Sequence, residues 1–345
     1  MTRMRIVLAG LGVRGLHWAE VITRSSDCEI AAYADPDSSA CERAVARFGE
    51  RPVFASAEAA LATLPHIDAL VLANPPIGRE SQVRAAVERG VAMLIEKPLA
   101  LSVAEAASLV SIAETAKLPL MVGLNFRYLA TTREMRRLLM DEAVGHAEFA
   151  RFTYERWRDG HRPNLNKYPL VMDQPMLWEQ SIHHFDLMRY VYQQEPVLVQ
   201  CQTWNPSWSM YASDANVAAI LTFDGGMIVN YQGTWQGNWS QSHFQWRTEC
   251  SAGIITQNEQ FSQLFYALRD DETLHEVSLP PHEIWVTETA GLLAAFVATL
   301  RDQAPLECSG RDHLMSLAML EACIASSQEG RAVRIAEIYA QVGRS

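Results

Sequence analysis

Over the first 123 residues, short apolar runs alternate with alanine-rich amphipathic stretches: RIVLAG, then 13–25, EIAAYAD, then 38–48, IDALVLA, then 79–89, VAMLIE, then 102–116, and LPLMVG. Strands alternating with helices of about 10–15 residues predict a parallel sheet covered on both faces, the doubly wound α/β arrangement. Beyond residue 123 the rhythm changes. A helix is expected near 131–140, a strand at HAEFARFTYER, a polar, proline-bearing loop over 156–175 and a helix over 177–193, followed by strands near 197–204, 215–223 and 226–235. Turns such as DGG at 224–226 join consecutive strands and imply antiparallel pairing. With helices near 283–302 and 311–329, the second part reads as an α+β domain on a large open, mainly antiparallel sheet. The division predicted is therefore 1–123 for the first domain and 124–345 for the second.

The length of 345 residues agrees with two domains, each able to bury a core. Hydrophobic residues make up 49% and charged residues 20%, yet no apolar run approaches the ~18 residues a bilayer span needs, so no membrane role is expected. MTRMRIVLAGLG enters a glycine turn without a secretory cleavage site, which predicts a cytoplasmic protein. A formal charge of −11 and scattered Lys and Arg exclude a phosphate-neutralising stripe, and with it nucleic acid as a partner. The six cysteines show no CxxC spacing; reduced thiols are expected, none of them a metal ligand or nucleophile.

Against that plain background the turn after the first strand stands out. Gly10-Leu11-Gly12-Val13-Arg14-Gly15 lies between a strand and a helix, as a dinucleotide-binding turn requires. Its glycines serve the tight turn, the approach of backbone to pyrophosphate, and close packing of helix on strand. Helix N-terminal amides then face the phosphates. The next strand ends in Asp35, where a carboxylate accepts hydrogen bonds from the adenosine ribose or else caps the following helix. An aspartate there opposes a 2′-phosphate, which favours NAD over NADP, with Arg14 and Arg43 the two side chains able to swing toward one.

A second element is LIEKPLA, residues 94–100. Ligands of open α/β sheets bind beyond the carboxyl ends of strands, which puts Glu96 and Lys97 near the nicotinamide end of a dinucleotide. Pro98 cannot extend a strand ladder, and an X-Pro bond there is a candidate for the cis form. The alternative reading of Glu96 and Lys97 is a surface ion pair ahead of a loop.

GxGxxG, a second strand ending in ADPD, ANPP at 73–76, EKPL at 96–99 and VGLNFRY at 122–128 resemble, in this order, the Gfo/Idh/MocA oxidoreductases, a family that includes glucose-fructose oxidoreductase and inositol dehydrogenase. The resemblance implies an N-terminal Rossmann domain binding NAD(P). It places Asn74, Pro75 and Glu96 along the cofactor and Lys97 toward the reacting hydroxyl and the nicotinamide. Asn125 and Arg127, at the junction of the two parts, are expected to reach cofactor and substrate. The chain departs from the pattern at Arg79, where the family often carries a histidine, and that bears on a cofactor contact.

MLWEQSIHHFDLMRY, residues 176–190, has helical periodicity that sets Glu179 and His183 four apart and Asp186 three beyond. Such a row orients a base, or else serves capping and packing; the spacing is not diagnostic for zinc, and no metal is expected. The resemblance assigns it to the catalytic helix, with His183 the base and Glu179 or Asp186 holding its imidazole. Glu179 stands where the family usually has aspartate, and His184 faces elsewhere, to touch substrate or to pack.

Seven tryptophans fall in the second part: Trp157, Trp178, Trp204, Trp208, Trp235, Trp239 and Trp246. We expect Trp235, Trp239 and Trp246 in sheet-to-sheet contact between copies of the chain, a homodimer or homotetramer formed through this sheet. Trp157 and Tyr168, in or beside the polar loop, are the better ligand candidates. The resemblance implies a sugar, inositol or related cyclic polyol as substrate of an NAD-dependent dehydrogenase. Two alternatives stand beside it: a glycosidase or lyase using NAD in transient internal redox, and a nucleotide-binding regulator without catalysis, which has no need of Lys97 or His183.

Overall fold

A computed structural model describes residues 2–163 and 165–342 of the chain; residue 164 of the polar loop and residues 1 and 343–345 at the ends of the two predicted domains lie outside the described residues. The chain divides into two compact units, one of Met1–Asn125 with Glu283–Leu314 and one of Phe126–His282 with Met315–Ser345. The linear division at 123/124 assigns 283–314 to the second part, but this segment packs with the first unit. Val122 N–H donates to the Cys308 carbonyl at 2.8 Å, and Arg301 pairs with Asp27 at 2.6 Å.

In the first unit, β1 (Met4–Ala9), β2 (Cys28–Ala34), β3 (Val53–Phe54), β4 (Ala69–Leu72), β5 (Ala92–Ile95) and β6 (Leu120–Val122) form a sheet in the order β3-β2-β1-β4-β5-β6. Every pair is parallel. The strands β4 and β5, ALVL and AMLI, are buried at every position, because helices cover both faces. The connecting helices are α1 (Val13–Arg24), α2 (Ser38–Phe48), α3 (Ala57–Thr63), α4 (Arg79–Glu88) and α5 (Val103–Thr115). Strand order reverses between β1 and β4, so the glycine turn after β1, ANPP after β4 and EKP after β5 all leave the sheet at its carboxyl edge. The two-residue strand β3 and the seven-residue α3 are too short for the periodicity of the sequence to announce.

The second unit begins with α6 (Ala130–Met140) and β7 (Ala147–Glu155). Where the sequence predicts one regular helix over 177–193, the chain forms a π-helical turn, Leu177–Ser181, followed by α7 (Ile182–Tyr192). Then come β8 (Pro196–Trp204), β9 (Asn216–Phe223), β10 (Ile228–Thr234), β11 (His243–Cys250), β12 (Gly253–Glu259), β13 (Ser262–Leu268) and β14 (His275–Glu276). The helix α8 (Thr287–Asp302) belongs to the first unit, and the chain re-enters the second within α9 (Gly310–Glu329), ending in β15 (Val333–Arg334) and α10 (Ile335–Val342).

The second sheet has nine strands in the order β14-β13-β12-β11-β7-β10-β9-β8-β15, antiparallel throughout except for the β10–β7 pair. Alternate residues of β11 are buried, Trp246 and Thr248 completely, which is the period of a strand with one covered face. That period corrects the expectation for the tryptophans. Trp246 is 0% exposed and Trp235 2%, so both belong to the core of the unit, while Trp239, at 69%, is open to solvent. Among the described residues no helix is long and apolar enough to cross a membrane.

Candidate active site

In the first unit the glycine turn is shaped by exclusion. Gly10 has φ +86°, and a Cβ on it would lie 2.4 Å from the Asn74 backbone nitrogen; one on Gly15 would lie 1.8 Å from the Gly10 carbonyl oxygen. Gly12 differs, since a Cβ there would meet nothing within 4 Å. It caps α1 without any side-chain hydrogen bond, so no capping side chain occupies the first helical amides of α1. Val13 beside it is exposed, while Leu11 is buried.

Asp35 closes one side of this cradle. Its Oδ2 accepts from Leu11 N–H at 2.6 Å and its Oδ1 from Asp37 N–H at 2.8 Å. The cap of α2 is Asp37, which accepts from Ser39 N–H, so capping does not use Asp35. A carboxylate oxygen holds two lone pairs, and the half-buried Asp35 keeps acceptor capacity for hydroxyls. Bare amides at a helix start, an open glycine and a carboxylate beside them fit a dinucleotide.

Glu96 is 4% exposed and its Oε1 accepts from Arg14 Nε at 2.6 Å and from Trp18 Nε1 at 2.7 Å. Gly123 makes room for it, since a Cβ there would lie 3.0 Å from the Glu96 carboxyl. Arg14 is also bonded to Thr289 at 3.2 Å, so its side chain is tied inward in this structure. Arg43 is exposed, bonded to Ser39 at 2.9 Å. The next residue, Lys97, is half-buried and joined to Pro98 by a cis peptide bond.

The departure at Arg79 has a structural role that sequence reasoning missed. Its side chain is 1% exposed. Nη1 donates to the carbonyls of Glu96, Pro98 and Leu99 at 2.7, 2.6 and 3.1 Å, and Nη2 to that of Asn74 at 2.6 Å. One guanidinium thus gathers the loops after β4 and β5. Asn74 Nδ2 donates to Gln82 at 3.0 Å, and its buried Oδ1 has no partner in the protein. Pro75 is exposed, and Asn125, 2% exposed, donates to Glu288 at 3.3 Å.

In the second unit the π turn carries Glu179. Bonding from i to i+5 there winds the backbone differently from an α-helix, so four-residue spacing no longer stacks Glu179 directly over His183. Glu179 Oε1 accepts from the Tyr168 hydroxyl at 2.6 Å. His183 stacks on Phe126, ring centroids 4.2 Å apart. Asp186 is engaged by Arg127, which donates from Nε at 2.7 Å and Nη2 at 2.6 Å, and by Ser316 at 3.1 Å. Arg127 and Asp186, 7% and 1% exposed, are therefore partners in a buried ion pair, where the sequence suggested a substrate contact and an orienter of the histidine. The partner of Asp186 lies 59 positions away, beyond any helical spacing rule.

His184 is 1% exposed among the rings of Phe152, Tyr154 and Tyr231. Gln180 Nε2, which only donates, sits 3.0 Å from His184 Nε2, and Tyr231 OH lies 2.9 Å from Nδ1. The ring therefore accepts at Nε2 and donates from Nδ1 to the phenol, which donates onward to Ser181. Burial lowers the His184 pKa to about 3, so the imidazole is neutral. Both ring nitrogens are thus engaged by protein partners, Gln180 and Tyr231. Trp157 is half-buried and bridges to Gln236 through its backbone.

Residues 4–124 match the NAD-binding Rossmann fold of the GFO/IDH/MocA oxidoreductase family, and residues 132–256 match the C-terminal domain of the same family. The chain is 25% identical over 324 residues to the D-apiose dehydrogenase of Paraburkholderia graminis, covering 91% of this chain and 84% of that one. It is 24% identical over 342 residues to an inositol 2-dehydrogenase of Rhizobium meliloti, covering 96% and 99%. Among solved structures, an Agrobacterium radiobacter oxidoreductase in complex with NAD+, L-tartaric acid and magnesium superposes with a TM-score of 0.89 at 19% identity, over 98% of this chain and all of that one.

Proposed function

Because the chain belongs to the Gfo/Idh/MocA oxidoreductase family and carries its NAD-binding Rossmann domain, we propose that it oxidises a secondary alcohol of a sugar, inositol or related cyclic polyol, or reduces the corresponding ketone, with NAD. The observation that carries the reading is the grip of Arg14 and Trp18, which both donate to the Glu96 carboxylate. It fastens the strand end bearing Lys97 to the glycine turn that would hold the dinucleotide. The relatives named D-apiose dehydrogenase and inositol 2-dehydrogenase support the substrate class.

Bound nicotinamide supplies or accepts the hydride. In this reading Gly10 to Gly15 and the first amides of α1 hold the pyrophosphate, and Asp35 accepts from the ribose hydroxyls and disfavours a 2′-phosphate, which selects NAD over NADP. Asn74, Pro75 and Asn125 flank the cofactor. Lys97 stabilises negative charge developing on the substrate oxygen. His183 takes the hydroxyl proton during oxidation and returns it during reduction. Glu179, its carboxylate fixed by Tyr168, sets the orientation of His183, while Asp186 acts at a distance by anchoring Arg127. Trp157 and Tyr168 contact the substrate.

The uncovered face of the second sheet exposes Phe149, Ile220 and Ile228 at 55, 46 and 44%. These belong to the adjacent strands β7, β9 and β10. A second copy of the chain would cover them, as a homodimer or homotetramer working in the cytoplasm.

The test is a rate screen with NAD and NADP against inositols, aldoses, glycosides and cyclic diols, following nicotinamide absorbance, with Lys97→Ala alongside. Reduction of NAD by wild type that falls by about 10²–10⁴ in the variant is the expected result. Copurified NAD with no net absorbance change on turnover would replace the dehydrogenase by an internal-redox hydrolase or lyase.

A further inference from the structure

Among the described residues, both buried arginines of the second unit have acids. Arg127 has Asp186, and Arg189 has both oxygens of Glu195 at 2.6 and 2.8 Å. Arg156 and Arg158, on the stretch that continues β7, do not. Both are half-buried, and among the described residues neither pairs with a carboxylate. Arg156 Nη1 donates to the Tyr154 hydroxyl at 3.2 Å. Arg158 Nη1 donates to the Tyr211 hydroxyl at 2.8 Å, that hydroxyl donates back to the Arg158 carbonyl at 3.1 Å, and the guanidinium lies 4.2 Å over the Trp235 ring. Each cation is thus held in direction by neutral partners, and among the described residues no carboxylate forms an ion pair with it. Burial raises the pKa of Tyr211; the charges of Arg158 and Arg156 act on it in the opposite sense, and that of Asp159 acts with burial.

The pair also adjoins the residues assigned to chemistry. Tyr154, the partner of Arg156, donates to Gln180 at 3.3 Å, and Gln180 follows Glu179 in the π turn that leads into His183. Residues 156–168 contain Arg156, Arg158, Arg162 and Lys167 against the single acid Asp159, in a chain whose formal charge is −11. A guanidinium offers five N–H donors in a fixed fork that matches a carboxylate or phosphate. Arg156 uses one of its five on the protein, so four remain for an anion. Trp235, under Arg158, adds a buried indole N–H with no protein acceptor.

We propose that Arg156 and Arg158 form an anion subsite, so that the sugar or polyol acted on carries a carboxylate or phosphate group. This rests on the dehydrogenase reading for the identity of the rest of the substrate. It makes the enzyme discriminate charged from neutral polyols by leaving two oriented cations unneutralised whenever a neutral one binds.

The test measures kcat/KM with NAD, and separately Kd by calorimetry on NADH-loaded protein, for matched probes: D-glucose, D-gluconate, D-glucuronate, D-glucose 6-phosphate, D-xylose, D-xylonate, myo-inositol and myo-inositol 1-phosphate. At least one anionic probe is expected to exceed its neutral partner by about tenfold or more, the usual effect of charge-assisted hydrogen bonds to a bidentate group. Whether carboxylates or phosphates win identifies the source of the anion. Arg156→Gln and Arg158→Gln should each cut the anionic-to-neutral ratio about tenfold, with Arg158→Lys recovering part of it, and added salt should lower it. A ratio near one in wild type, no binding of any anionic probe, or a ratio unmoved by both substitutions overturns the subsite. Selective anion binding without turnover retains the subsite and counts instead against the dehydrogenase reading.

Discussion

The glycine turn of the first unit and the helix 176–190 of the second were both singled out by spacing, yet they meet the structure differently. At the turn, residue identities act by exclusion. Backbone lies so close to Gly10 and Gly15 that a side chain at either collides with it, so the glycines at these positions are explained by local space alone. On the helix, identities act through partners, and partners come from anywhere in the fold. Asp186 turns to Arg127, His184 to Tyr231 on β10, and Glu179 to Tyr168, across separations no helical period encodes. A motif defined by space survives translation into three dimensions better than one defined by side-chain chemistry.

That contrast can be broken at Arg127. If the Arg127–Asp186 pair is structural, Arg127→Ala strips a buried carboxylate of its bidentate partner, leaving it only Ser316 at 3.1 Å and Arg189 at 3.9 Å, and lowers the unfolding free energy by up to about 3–5 kcal/mol, read as a drop in urea midpoint. A variant of wild-type stability with a raised KM would instead return Arg127 to the substrate and narrow the difference between the two regions.

A smaller effect sharpens the role of His184. Its folded pKa of about 3 lies below the ordinary 6.5, so the unfolded chain takes up the proton first. Stability from this group is therefore full above pH 6.5 and declines as pH falls from there toward 3, by about 2 kcal/mol between pH 8 and pH 5. Urea melts across that range should show the decline in wild type and a flatter profile in His184→Gln. Equal slopes would mean that another group titrates.

The smallest expected change is at Gly12, where φ is −70° and a methyl group meets only open space. Gly12→Ala should keep the fold and weaken NAD by about tenfold, some 1.4 kcal/mol, in a fluorescence titration. Unchanged affinity would show that the pyrophosphate does not approach that backbone.

Much of the architecture was legible because the inner parallel strands β4 and β5 are buried at every position and read as unbroken apolar runs, ALVL and AMLI. Strands β11 to β13 escaped notice although HFQWRTEC carries a period of two, because polar residues on its open face dilute the apolar signal. Residues 283–314 join the first unit through contacts such as Val122 to Cys308, which no local pattern announces. The π turn is equally silent in sequence: MLWEQS contains no glycine or proline to mark it. Lys97 and Asp35 could be named as candidates because a strand end is a definable place; the buried role of Arg79 and the surroundings of Arg156 and Arg158 could not be read, since their meaning lies in what surrounds them.

Arg79 also sets how the Lys97 loop responds to acidity. Histidine, common at this position in the family, carries its charge only on the acid side of neutrality, and a loop gathered by it would tighten or slacken across the range in which cells operate. A guanidinium keeps its proton far beyond that range, so the four carbonyls around Arg79 see the same donor at pH 5 as at pH 9. On the mechanism we propose, the loop that bears Lys97 is thereby insulated from the proton traffic of the reaction, and any dependence of rate on pH is left to the groups that would carry the proton.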